Sequence, residues 1–406
     1  MKWEIAKLGD ISKNIQTGPF GSQLHQSDYS ECGIPVVMPK NLVGGKISEE
    51  SIARVDKTHV ERLCRHKIEV GDILYSRRGD VGRCAHVTKK EEGWLCGTGC
   101  LRVTIDSEKA DSRFVFFQLQ HPDTVGWVEK HAVGATMLNL NTTILSSVPI
   151  RLPALEIQKR IADILSAYDD LIENNQKQIK LLEEAARRLY KEWFVDLHFP
   201  GHENTKIVDG VPEGWNESTV ESFGTVITGK TPPTSNKEYY TNGKVPFVTI
   251  PDMHNVVYPL KTEKRLTIEG AQTQKNKYIP PNSVMISCIG TVGLVCIATE
   301  VCQTNQQINS IILNNEDDLY FFYESMLRMK DLLDGLGSNG ATMTNVNKSK
   351  LEKLIIISPS KDIVKQYNDV CKPLFESALN LSRKNVYLKN MREALLPKLM
   401  SGEVEV

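Results

Sequence analysis

Gly134-Ala135-Thr136-Met137-Leu138-Asn139-Leu140-Asn141 recurs as Gly340-Ala341-Thr342-Met343-Thr344-Asn345-Val346-Asn347, with six of eight residues identical. The offset is 340 − 134 = 206 residues, about half of a 406-residue chain. A repeat at this scale determines the architecture before any single element is read. Working outward, Gly33-Ile34-Pro35-Val36-Val37 answers to Lys244-Val245-Pro246-Phe247-Val248. Ile68-Glu69-Val70-Gly71-Asp72-Ile73-Leu74-Tyr75-Ser76 answers to Ile279-Pro280-Pro281-Asn282-Ser283-Val284-Met285-Ile286-Ser287. Gly79-Asp80-Val81-Gly82 then answers to Gly290-Thr291-Val292-Gly293. The offset in these blocks is 279 − 68 = 211, so the connecting loops differ by a few residues.

Each half has one plan. Short β-like runs, such as Ile73–Ser76 and Ser310–Leu313, are bounded by Gly, Pro and Asn. Aromatic-rich helix candidates follow at Phe114–Leu119 and Leu319–Leu327, and then β-like runs that end in proline, Val148–Pro153 and Leu354–Pro359. After each proline the period lengthens. Ile157, Ile161, Ile164, Tyr168, Leu171, Leu182 and Leu189 form one narrow apolar stripe, with polar Asn175 and Gln178 in its seam. A helix of about 38 residues, ~57 Å long, fits it. Ile363, Tyr367, Val370, Leu374, Leu381, Leu388, Met391, Leu395 and Leu399 form the second stripe. Such stripes suit a coiled coil, and pairing the two with each other is favoured over packing each on its own globule. Pro373 should kink or split the second helix, because an interior proline costs ~3 kcal/mol.

The domain reading is 1–153 and 213–359 as two similar mixed α/β domains, 154–198 as a central long helix, 199–212 as a linker and 360–406 as a distal helix. Pro200-Gly201-His202-Glu203-Asn204 and Val211-Pro212-Glu213-Gly214-Trp215 carry turn chemistry without periodicity, which marks the linker.

Composition excludes several classes. Hydrophobic residues at 40% and charged residues at 24% fit a globular protein with a sizeable core. No apolar run reaches the ~18 residues of a membrane span. Met1-Lys2-Trp3-Glu4 opens no secretory signal, and nine cysteines read as reduced thiols in a cytosol. With 49 basic and 50 acidic residues, bulk charge announces no nucleic acid, so any basic surface must be local.

Catalytic motifs fail on context. Gly224-Thr225-Val226-Ile227-Thr228-Gly229-Lys230-Thr231 satisfies the phosphate-loop pattern, but Pro232-Pro233 follows where a helix must begin. Cys96 with Cys100, and Cys296 with Cys302, lack zinc spacing and read as buried small hydrophobes. No H-E-x-x-H, nuclease triad or nucleophile elbow occurs. What remains is a duplicated binding module without catalytic groups. Arg77 and Arg78 could reach phosphates or guanine edges, and Asn139, Asn141, Asn345 and Asn347 suit adenine contact or turn capping.

These residues together resemble the specificity subunit of type I restriction–modification systems. Thr17-Gly18 and Thr228-Gly229-Lys230-Thr231-Pro232 are similar to the family's T-G-x-T-P loop, and Gly71-Asp72-Ile73-Leu74-Tyr75-Ser76 to its G-D-I-L-x-S block. Pro153-Ala154-Leu155-Glu156-Ile157-Gln158, Val211–Trp215 and Leu395-Leu396-Pro397-Lys398-Leu399-Met400-Ser401-Gly402-Glu403 complete the likeness, which covers essentially the whole chain. The resemblance implies an α+β fold: two target recognition domains, related by an internal two-fold repeat and separated by a long antiparallel coiled-coil helix pair. It implies that each domain reads one half of a bipartite, asymmetric site on double-stranded DNA. The helix stripes would dock two methyltransferase subunits, and through them restriction subunits, in a prokaryotic cytoplasm. S-adenosylmethionine, ATP and magnesium would sit on those partners, with no cofactor or metal in this chain and no catalysis by it. On that basis the DNA-contacting candidates are Thr17, Ser22, Arg77, Arg78, Asn139 and Asn141 in the first half. Thr228, Lys230, Thr231, Ser287, Asn345 and Asn347 are those of the second. The basic pair is confined to the first half, and Thr304-Asn305-Gln306 is set against Gly97-Thr98-Gly99, so the two halves should read different sequences. The alternative is a scaffold that joins two proteins and touches no DNA, which salt-dependent duplex binding would distinguish.

Overall fold

In a computed structural model that describes residues 3–134, 138–337 and 345–406, the recurring apolar runs are strands. Ile73-Leu74-Tyr75-Ser76 is buried along its length and therefore lies inside a sheet. Its neighbours are Cys100–Ile105 on one side and Cys84–His86 on the other, both antiparallel. Ser12–Thr17 closes the order by pairing with Cys100–Ile105. The second half repeats this sheet, with Gly224–Thr228, Ile308–Leu313, Val284–Ser287 and Val295–Ile297 in the same order and sense.

A smaller sheet accompanies each. Ile34–Val37 pairs in parallel with Leu95–Cys96, and Val245–Val248 does so with Gln303–Thr304. A third antiparallel pair joins the start of each half to its proline-ended run: Glu4–Lys7 with Pro149–Leu152, and Asn216–Thr219 with Ile355–Ser358. The aromatic helices are Ser112–Leu119 and Leu319–Arg328. The first is capped by the Asp111 carboxylate, which accepts from the Arg113 and Phe114 amides at 2.9 and 3.1 Å.

The two long helices are Leu155–Phe194 and Lys361–Ser401. Contacts divide the chain into two units, one ending at Leu171 and regaining Lys389–Val406, the other Ile172–Leu388. The cut therefore falls inside both helices. In the first unit Ile161, Ala162 and Leu165 share a core with Leu396, Leu399 and Met400, and with Phe114 and Phe117. Arg392 Nε meets an Asp169 carboxylate oxygen at 2.7 Å, and the buried Gln118 amide donates to the Met400 carbonyl at 3.3 Å. In the second unit Ala186, Tyr190, Tyr367, Cys371 and Phe375 pack with Phe321 and Phe322. Tyr367 Oη donates to the Ala186 carbonyl at 3.1 Å. Asn175 Nδ2 donates to Asn385 Oδ1 at 2.8 Å, both buried. In each unit the numbers rise on one helix as they fall on the other, so the helices run antiparallel there.

Three expectations change. The second helix runs unbroken through Pro373. The ring lies on the exposed side, one turn after exposed Asp369, while buried Cys371 and Phe375 hold the helix on either side of it. The stripe is also rotated. Val370 is 48% exposed, and Leu171 and Leu189 are less buried than their neighbours Ile172 and Tyr190. The choice between mutual pairing and packing on a globule proves to be both, because the helix ends complete the globular cores. Within the linker, Ile207–Val208 and Val211–Pro212 form a short hairpin. Among the described residues no helix is long and apolar enough to cross a membrane.

Candidate nucleic-acid interface

Strand Ile73–Ser76 delivers its chain into the loop Ser76-Arg77-Arg78-Gly79, and strand Val284–Ser287 into Ser287-Cys288-Ile289-Gly290. Gly79 and Gly290 turn both loops at φ +76° and +80°, a conformation an L side chain rarely adopts. Each loop is then fastened to the duplicated asparagine segment. Arg78 bridges Asn139, and Ile289 bridges Asn345. The Leu140 amide donates to the Arg77 carbonyl at 2.8 Å, and the Val346 amide to the Cys288 carbonyl at 2.9 Å. Two blocks far apart in sequence thus form one surface in each half. Ala135 to Met137 and Gly340 to Thr344 of the recurring motif lie outside the described residues.

A third segment completes the surface. The Arg77 amide donates to the Gly99 carbonyl, and the Cys288 amide to the Gln307 carbonyl, both at 2.8 Å. Strand register places Cys96 against Val37 and Thr304 against Val248. Gly97-Thr98-Gly99 therefore corresponds to Asn305-Gln306-Gln307, one residue later than direct sequence matching sets it. Where the first half has small residues and two arginines, the second has amides beside Cys288 and Ile289.

The close approach of Gly18 and Gly229 locks this segment down. A Cβ on Gly18 would lie 2.0 Å from the Gly97 carbonyl oxygen, and one on Gly229 2.1 Å from that of Asn305. Thr17 ends a strand opposite Leu101, and Ser22 lies exposed in the turn beyond. Thr228 Oγ1 donates to Asn309 Oδ1 at 2.7 Å, and Thr231 Oγ1 to Gln306 Oε1 at 2.6 Å. Lys230 is exposed, its amide donating to the Thr304 carbonyl at 3.0 Å. The phosphate-loop lookalike is thus a strand, Gly224–Thr228, that runs into coil with no helix at Lys230.

Two candidate types do inward work. Ser287 is fully buried, and its Oγ accepts from the Leu294 amide at 2.8 Å, so it offers no surface to a ligand. Asn141 and Asn347 cap the helices Thr142–Ser146 and Lys348–Glu352, accepting from the Ile144 and Lys350 amides at 2.8 and 2.9 Å. Asn347→Ala should cost about 1 kcal/mol of stability, measured by urea unfolding. A loss several-fold larger would mean that the amide holds more than a cap. Asn139 is half-buried with Oδ1 enclosed and unpaired, and Asn345 is exposed.

Charge separates the halves. Arg78 is exposed and Arg77 half-buried, its guanidinium 5.9 Å from the Phe20 ring centre. Asp80 is taken by Arg83 at 2.6 Å. The equivalent loop, Cys288 to Thr291, carries no charge. Gln307 and the place of Phe20 beside Arg77 escaped the sequence reading. The strand registers reveal the glutamine, and nothing local marked Phe20. The cysteine pairs face inward: burial pushes the thiols of Cys96 and Cys302 up to about 12.

A duplicated scaffold that holds chemically different loops at one place in each half defines a paired recognition protein. The chain belongs to the family described as type I restriction modification DNA specificity domain, matched over residues 1–184 and 212–386. It is 30% identical to the type I restriction enzyme HindI specificity subunit of Haemophilus influenzae, over 99% of each chain. The MjaIX specificity subunit of Methanocaldococcus jannaschii is 27% identical, over 100% of this chain and 94% of that protein. The crystal structure of the type I restriction–modification S subunit from M. genitalium shares the fold. Its TM-score is 0.63 at 16% identity, covering 98% of this chain and 96% of the other.

Proposed function

We propose that this specificity subunit reads a bipartite DNA site, one half-site per recognition domain, and brings methyltransferase subunits to it. The observation that carries this is the pairing of an unchanged backbone with changed loop chemistry. The Arg78–Asn139 and Ile289–Asn345 bridges place different side chains on the same frame. Direct readout needs such a change of donors and acceptors, because each base pair presents its own pattern in the major groove. The site is then asymmetric, since the two loops are not interchangeable.

The long helices supply the docking face for two methyltransferase subunits, and restriction subunits join through these. Apolar side chains remain on it, Leu181 being 69% and Tyr387 62% exposed. Internal two-fold repetition suits a pair of identical partners, each meeting a similar surface. The chemistry belongs to the partners, which would hold S-adenosylmethionine, ATP and magnesium in a prokaryotic cytoplasm. This chain contributes recognition and no bond-making step.

Genome-wide mapping of methylated adenine tests the reading. In cells that express this chain with its methyltransferase, one motif of two short half-sites and an unspecified spacer should be methylated. Deleting this chain alone should abolish that motif. Unchanged methylation would favour a scaffold that touches no DNA.

A further inference from the structure

We propose that Arg78 reads a guanine in the half-site taken by the first recognition domain; this rests on the DNA-reading function above. Four observations converge on it. First, the backbone of Arg78 is held while its side chain is exposed. It bridges Asn139, its carbonyl accepts from Ser76 Oγ at 3.1 Å, and the next amide, of Gly79, donates to the Leu138 carbonyl at 3.1 Å. A recognition group needs such a fixed root and a free tip.

Second, the guanidinium is not spent on an acid among the described residues. Among the described residues Arg78 makes no ion pair, and the nearest acid along the chain, Asp80, is taken by Arg83. Third, the neighbour Arg77 is disposed differently, half-buried and against Phe20, so only one of the two arginines projects outward. Fourth, the same bridge position in the second domain is Ile289. An isoleucine cannot bind phosphate, so the position does not serve a backbone contact common to both half-sites. A position that alternates between a forked donor and an apolar side chain fits base readout, where guanine O6 and N7 take the fork and a thymine methyl takes the apolar group.

The test uses the chain purified with its methyltransferase, on the motif that methylation mapping gives for wild type. Affinity is measured for duplexes in which each base pair of the motif is replaced in turn. One G·C pair in one half-site should cost wild type roughly ten- to hundred-fold. In Arg78→Ala that cost should nearly vanish, with the other half-site read as before. Arg78→Lys should keep only part of that discrimination, because an ammonium still donates to O6 or N7 but lacks the fork. Uniform weakening on every duplex, restored by lysine and accompanied by a shallower salt dependence, would make Arg78 a phosphate contact and overturn the assignment. Unaltered discrimination in Arg78→Ala would overturn it as well. If wild type methylates no bipartite motif, the underlying reading fails, and does so before any Arg78 variant is made.

Discussion

Gly229→Ala should destabilise the second recognition domain by about 3 kcal/mol, the upper end of ordinary overpacking costs. The new methyl carbon would sit 2.1 Å from the Asn305 carbonyl oxygen and 2.3 Å from Thr304 Oγ1. Two of the three nearest atoms are backbone oxygens, so no side-chain rotation relieves the contact. The backbone must move instead, and that breaks the hydrogen bond that the Lys230 amide donates to the Thr304 carbonyl. Gly18→Ala should do the same to the first domain, with the Gly97 carbonyl oxygen at 2.0 Å. Thermal unfolding combined with limited proteolysis checks both. New cleavage should map to the unit that carries the substitution. A melting temperature within a degree of wild type would show that the approach is less tight than described.

Glu324→Gln should stabilise the protein above neutral pH. Glu324 is 2% exposed on helix Leu319–Arg328, with Oε2 enclosed and unpaired. Burial raises its carboxyl to about 7, with Glu183 and Glu184 adding to the rise and Arg187 and Arg328 opposing it. The sign follows from proton binding. Between the unfolded value near 4.5 and the folded value near 7, the folded state keeps a proton that the unfolded state has lost. Stability therefore falls as pH rises through that window and levels off above it. At roughly 1.4 kcal/mol per pH unit the total is about 3 kcal/mol. Glutamine removes the slope, so its advantage should grow from pH 5 to pH 8. Urea unfolding of both proteins at those two pH values measures it. An equal difference at both would show that Glu324 does not titrate in this window. On the aromatic helix of the first domain a buried polar residue is an amide, Gln118, which donates to the Met400 carbonyl.

Local blocks were legible because they carry the scaffold. Ile73–Ser76, the aromatic helices and the proline-ended runs all lie where their periodicity placed them. Long-range register was not legible. The one-residue offset between Gly97–Gly99 and Asn305–Gln307 follows from parallel pairing with Val37 and Val248 and from the Arg77 and Cys288 amide contacts to Gly99 and Gln307. The burial of Ser287 follows from its position inside a sheet, which its hydroxyl does not advertise. Pro373 does not split the helix, because propensity weighs a residue in an isolated helix, whereas here buried Tyr367, Cys371 and Phe375 hold the helix on both sides. The stripe was rotated for a related reason. Heptad spacing anticipates one partner helix, but Tyr190 is drawn into the aromatic cluster around Phe321.

The division of the chain also sets an order of events during synthesis. The second unit, Ile172–Leu388, is one uninterrupted stretch, and all of its residues are joined before Lys389–Val406 are added. The first unit needs Lys389–Val406, which the ribosome adds after the whole of the second. Until then the apolar side chains of Ile161 and Leu165 wait for Leu396, Leu399 and Met400. Contacts across more than 200 residues close slowly, and apolar surface left open in the meantime invites association. The unit whose synthesis begins first is therefore the unit whose last segment is synthesised last.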